Sequence, residues 1–193
     1  MKVKVGYQGI KNSNNYFAVD AMVKKNFPND EVELVPLEKS ANVVKALKEG
    51  TIDFGSCAFY TDLSGKVEET RQAVADFDYE VVDTYNIDVH HYICKRSADV
   101  KDSDIRFVVG HPEALKECSI KIQELFPDAA PIPYSNSATC ARDLSRGLFT
   151  ASATAVICSV EAAGDYQLAV IQPDAENIKP NGTDFCLIKV ASK

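Results

Sequence analysis

The stretch Ile105-Arg106-Phe107-Val108-Val109-Gly110-His111-Pro112-Glu113-Ala114-Leu115 passes from a strand into a helix within two residues. Residues 105–110 are a short apolar run of the kind that becomes a buried strand. Pro112 has no N–H and a fixed φ, which suits a first helical turn and not a strand interior. Ala114, Leu115, Cys118, Ile122 and Leu125 then recur at helical spacing until Pro127 closes the segment. A strand feeding a helix through a tight turn is the repeating unit of an α/β fold.

The same alternation extends in both directions. Towards the N-terminus, residues 2–6 form a strand, residues 14–26 a helix with Phe17, Ala21 and Met22 on one side, and residues 31–36 a second strand. Ser40 caps a helix carrying Val43, Val44 and Leu47, with Gly50 at its left-handed C-terminal position. Residues 52–59 form a buried strand, and residues 84–95 a long one that crosses between lobes. Towards the C-terminus come a short strand near Ile132, a helix capped by Ser137, a strand over 154–158, a short helix and two closing strands. Short strand-helix connections imply mainly parallel sheets flanked by helices. Ligands then bind at the turns beyond the strand ends: residues 9–15, 110–112 and 134–139.

Composition narrows the function. The 193 residues are 46% hydrophobic and 25% charged, ordinary for a globular protein able to bury a core. A formal charge of −7 with only isolated basic pairs, Lys24-Lys25 and Lys95-Arg96, excludes a phosphate-tracking stripe, so nucleic acid is not an expected partner. No run of about 18 apolar residues exists to span a membrane, and the alternating N-terminus lacks a secretory h-region, so a cytoplasmic protein is expected. The six cysteines form no Cys-x-x-Cys pair and read as reduced, buried thiols. His90 and His91 are neighbours on an expected strand and point to opposite faces, so no metal site and no cofactor are expected. A small-molecule ligand is expected, and a homodimer is compatible with the sequence.

Three turns carry candidate chemistry. Gly9 to Asn15 offers Lys11, Ser13 and three amides before a helix, either an anion cradle or an ordinary capped loop. Ser135 to Thr139 places hydroxyls and an amide at a second helix start, where one group serves as cap. Asn181-Gly182-Thr183-Asp184-Phe185 leads into the last strand, where Thr183 is either a site hydroxyl or a β-former.

In this order, these segments resemble the catalytic domain of prephenate dehydratases. Val108 to Leu115 is similar to that family's Ser-His-Pro-x-Ala-Leu stretch, and Ala155 to Leu168 to its Ala-Ala-Ile-Ala-Ser run ending in Ala-Ala-x-x-Tyr-x-Leu. Gly55 to Val67 fits the frame of Pro-x-Glu-Asn-Ser-x-x-Gly, and Asn181 to Phe185 that of Asn-x-Thr-Arg-Phe. The resemblance implies a two-lobed α/β fold of the periplasmic-binding-protein type II, with a ligand cleft between the lobes. Lobe 1 comprises residues 1–82 and 170–193, and lobe 2 residues 83–169, with crossings near 81–83 and 169–171. These 193 residues contain no ACT domain, so phenylalanine feedback of that type is not expected.

The resemblance also implies a lyase on prephenate or a related cyclohexadiene acid, losing CO2 with or without loss of water. Thr183 matches the threonine that assists departure of the substrate hydroxyl, and Tyr60 or His91 would supply a proton on the non-aromatising route. Substrate would be held by Lys11, Ser13, Thr61, Asp62, Ser137, Thr139, Asp184 and Phe185. The pattern departs from the family at Asp184, where Thr-Arg-Phe has its arginine, and at Tyr60-Thr61-Asp62, where Glu-Asn-Ser stands. A carboxylate there repels a dianion by about 1–4 kcal/mol at about 4 Å; Lys11 and Arg142 are the cations that would compensate. The alternative is a binding or sensing protein that keeps the cleft and takes an amine-bearing ligand at Asp184, Asp62 and Tyr60.

Overall fold

The computed structural model describes residues 2–192. Its elements run β1 (Lys2–Tyr7), α1 (Asn14–Asn26), β2 (Glu31–Pro36), α2 (Ser40–Lys48), β3 (Phe54–Thr61), β4 (Gly65–Lys66), α3 (Glu68–Ala73) and β5 (Tyr79–Asp88). Then come β6 (Tyr92–Lys95), β7 (Phe107–Gly110), α4 (Pro112–Glu117), α5 (Ser119–Leu125), β8 (Ala130–Pro133), α6 (Ser137–Ser145), β9 (Thr154–Cys158), α7 (Val160–Asp165), β10 (Ala169–Gln172) and β11 (Gly182–Val190).

The chain forms two compact α/β units, the first running to Val89 and resuming at Gly182, the second being His90–Asn181. Both divisions fall later than the crossings expected near 81–83 and 169–171. β5 cannot leave the first unit at residue 82, because it stays paired with β11 from Tyr79↔Val190 to Asp88↔Gly182. β10 belongs to the second unit, paired antiparallel with β6. The long strand expected over 84–95 is therefore two strands, one in each unit.

In the first unit the sheet order is β2-β1-β3-β11-β5, with β4 on β3. In the second it is β10-β6-β9-β7-β8. The sheets are mixed rather than mainly parallel. Parallel pairing is confined to β1 with β2 and β3, and to β7 with β8 and β9. β11 and β6 each enter antiparallel to a strand of their own sheet, because each begins where the chain arrives from the other unit without a crossover helix.

The first unit buries both faces of its sheet. Val3, Val5, Tyr7, Phe185 and Leu187 pack with α1, while Cys57, Cys186 and Ile188 pack with α2. The face of α1 is rotated from the expected one: Ala18, Val19, Met22 and Val23 are buried, whereas Phe17 is 38% exposed. Asn15 sets this rotation, since its amide points inward to the carbonyls of Gln8 and Ser56 at 3.0 and 2.8 Å.

In the second unit the core joins Ile93, Val108, Ile157, Leu115, Cys118, Ile122 and Phe126. The helix expected from Pro112 to Leu125 breaks at Cys118 into α4 and α5, and the cause is Asn177. Its side chain donates to Lys116 O and to Ser119 Oγ, both at 3.0 Å, and its Oδ1 accepts from Ile120 N at 3.1 Å. All six cysteines are unbridged and buried. Burial raises the Cys57 thiol to about 12, which makes it a poor nucleophile.

Candidate active site

In the first unit, Ser13 is the N-cap of α1, its Oγ accepting from Tyr16 N at 3.3 Å, while Lys11 is exposed in the preceding turn. Gly9 at φ +102 permits this turn, since a Cβ there would lie 2.5 Å from Ser13 Oγ. Just beyond the end of β1 is a polar chain absent from the sequence expectations. Gln8 donates to Glu69 Oε2 at 3.1 Å, Ala58 N donates to Gln8 Oε1 at 3.1 Å, and Ser56 Oγ donates to Asn15 Oδ1 at 2.7 Å. Glu69 Oε1 also accepts from Ser40 N. Ser40 is therefore not the cap of α2; its hydroxyl is buried against Thr70 Oγ1 at 2.9 Å. The signal available in the sequence was the pair of uncharged polar residues, Gln8 and Asn15, at the two ends of the strand-to-helix turn.

The ends of β3 and β11 bring Tyr60, Thr61, Asp62, Thr183 and Asp184 together. Thr61 pairs with Thr183, and Tyr60 with Asp184, along one ladder. Thr183 is buried, whereas Tyr60 is 46% exposed. Thr61 accepts from Ser64 N at 3.1 Å, a turn-closing bond, and Asp62 Oδ2 accepts from Gly182 N at 2.9 Å. Both residues thus fix the backbone that carries Thr183. Asp184 Oδ1 accepts from Asn86 Nδ2 at 2.8 Å, which ties it to β5. Phe185 is 5% exposed and packs in the α1 core.

In the second unit, the cap of α6 is Asn136, whose Oδ1 accepts from Thr139 N at 2.8 Å; Ser137 is the next residue, not the cap. Ser135, Asn136 and Ser137 are all capping types, and only the extended backbone at Asn136 selects among them. Asn136 Nδ2 and Thr139 Oγ1 are both buried and have no hydrogen-bond partner among the described residues. Arg142 is engaged by Asp143, with Nε at 2.8 Å, so it is bound within its own helix.

Burial would push the Asp143 carboxyl up, but hydrogen bonds from Arg142 and Tyr134 outweigh burial and hold it below the usual carboxylate range. The Tyr134 hydroxyl is raised by the same bond to Asp143. A carboxyl depressed in the folded state contributes stability above its unfolded value of about 3.9, and that contribution is lost as pH falls through the lower, folded value. Asp143→Asn is expected to flatten the loss of stability below about pH 4 in urea titrations; an unchanged slope would assign the acid sensitivity elsewhere.

His91 is buried, its Nε2 2.6 Å from Glu117 Oε2 and its N–H donating to Glu176 Oε2 at 3.0 Å. Asn181 Nδ2 also donates to Glu117 Oε2, at 3.2 Å. His91 is a buried anchor, not an accessible proton source. It also lies outside any strand, as does His90, so the two imidazoles meet different carboxylates: Glu117 for His91, and Asp174 with Glu176 for His90. The expectation of no metal-ligand cluster rested on local spacing, whereas His90, Asp174 and Glu176 converge from distant segments.

Two α/β units joined by two chain crossings, each with a mixed five- or six-stranded sheet, define the periplasmic-binding-protein type of fold. The periplasmic VFT2 domain of BvgS from Bordetella pertussis shares it, with a TM-score of 0.53 at 15% identity over 98% of this chain and 80% of that one. The family is more specific: the prephenate dehydratase model matches residues 5–193, and the chain belongs to that family. It is 25% identical to arogenate dehydratase/prephenate dehydratase 1 of Arabidopsis thaliana, over 97% of this chain and 45% of that protein. Prephenate dehydratase of Arthrobacter aurescens, solved in complex with L-Phe, superposes with a TM-score of 0.76 at 19% identity, over 99% of this chain and 61% of that one. The chain spans about half the length of the plant relatives it matches. Among the described residues no helix is long and apolar enough to cross a membrane.

Proposed function

We propose that this chain is a dehydratase-type lyase that removes CO2 and hydroxide from a cyclohexadiene acid, and that arogenate suits it better than prephenate. The observation that carries the reading is the pair of buried polar atoms at the start of α6, Asn136 Nδ2 and Thr139 Oγ1. A buried donor left without a partner costs about 1–3 kcal/mol, a cost that a bound carboxylate or hydroxyl removes. The helix N-terminus adds a positive dipole end to the same spot.

Departure of hydroxide needs a proton or a strong hydrogen-bond donor, and the Thr183 hydroxyl, fixed by the ladder to Thr61 and by Asp62 on Gly182, is the group assigned to it. The driving force is aromatisation of the ring. Decarboxylation is helped by transferring the ring carboxylate out of water. Asp184 supports the choice of substrate: prephenate carries two carboxylates, whereas arogenate balances one of them with an ammonium. An acidic side chain on the Thr183 strand therefore penalises arogenate less. Tyr60, across the ladder from Asp184, presents an aromatic ring that an ammonium tolerates.

Thr139→Val is the test of the α6 assignment. It is isosteric and removes the hydroxyl, and it is expected to raise KM about tenfold while leaving thermal stability unchanged or slightly increased. An unchanged KM would remove α6 from the binding site.

A further inference from the structure

We propose that His90, Asp174 and Glu176 form a three-ligand site for a divalent transition ion of the zinc type within the second unit. His90 Nδ1 lies 3.0 Å from Glu176 Oε1 and 3.5 Å from Asp174 Oδ1, and all three ligand atoms fall within 4.8 Å of one another. Ligands at about 2.0–2.1 Å from a tetrahedral ion stand about 3.3 Å apart, so two of the three edges already match.

The site is also supported from behind. The Glu176 side chain is wholly buried, and its second oxygen is held by His91 N at 3.0 Å, which fixes Oε1 towards His90. His90 and Asp174 are about half exposed, leaving an approach from solvent and room for a water ligand. Lys179 Nζ lies 3.3 Å from Asp174 Oδ2 and 3.8 Å from Glu176 Oε1, so the carboxylate pair already attracts a cation. The ion displaces this ammonium. An imidazole with two carboxylates and no thiolate favours zinc, nickel or cobalt over calcium, magnesium or copper(I). His90 opens the segment by which the chain enters the second unit, and Asp174 and Glu176 precede the segment by which it leaves. A bound ion thus cross-links the two links, a role independent of the lyase reading.

The test is calorimetric titration of the whole chain with Zn2+, together with the absorption spectrum of the Co2+ form. One ion per chain is expected, with affinity lowered at least tenfold in His90→Ala and in Asp174→Asn, and raised in Lys179→Met. The Co2+ spectrum is expected to lack a thiolate charge-transfer band. Absence of binding, undiminished affinity in both ligand variants, or a thiolate band pointing to the cysteines would each overturn the site. Should His90→Ala fail to fold, Asp174→Asn and the cobalt spectrum decide.

Discussion

Glu117→Ala is expected to lower the free energy of unfolding by about 1–3 kcal/mol, the cost of leaving buried polar groups without their hydrogen-bond partner. The Glu117 side chain is 4% exposed, and it receives both the His91 imidazole and the Asn181 amide. Its main-chain carbonyl also accepts from Asn177 N at 2.6 Å, so α4 is tied to the segment leading out of the second unit. The measurement is the urea midpoint at unchanged m-value. Glu117→Gln retains an acceptor for Asn181 and is expected to lose less. A shift under about 1 kcal/mol in the alanine variant would mean that the pair contributes nothing beyond solvent-exposed bonding.

Thr183→Val is expected to reduce kcat by about 10²–10⁴-fold, the range for removing a group that donates a proton in the transition state. Stability should change little, because valine is a good β-former and the residue sits within the β11 ladder. KM should also change little, since substrate affinity is assigned to other groups. A variant that keeps its kcat and loses only affinity would transfer the proton-donating role away from Thr183. Asp184→Arg provides the companion test of substrate choice, shifting preference towards prephenate.

How much of this was legible beforehand depends on how far apart the interacting residues lie. The bounds of α1 and β2 follow from local patterning, with Ser13 before the first helical turn and Pro28 after the last. The break between α4 and α5 does not, because the apolar spacing runs straight through it and its cause, Asn177, is far along the chain. Mixed rather than mainly parallel sheets were hidden for the same reason: alternation of strands and helices predicts crossovers, and says nothing of β11 returning antiparallel between β3 and β5. At the site, Thr183 stands out through its motif, and Phe185 through the same motif, yet Phe185 belongs to the core. Thr139 was recognisable as one polar residue in a helix-capping cluster, but that its hydroxyl is buried without a partner is a property of packing. His91 enters as a proton source, beside Tyr60, only through the family resemblance; its burial against Glu117 and Glu176 comes from segments distant in the chain.

The proposed dehydratase-type chemistry on a cyclohexadiene acid predicts a preference for the amine-bearing substrate. Incubating the protein with arogenate and with prephenate, while following phenylalanine and phenylpyruvate formation alongside loss of each substrate, tests it most directly. Formation of phenylalanine from arogenate, with kcat/KM at least tenfold above that for prephenate, is the predicted result. Persistence of both substrates at high protein concentration would contradict the account.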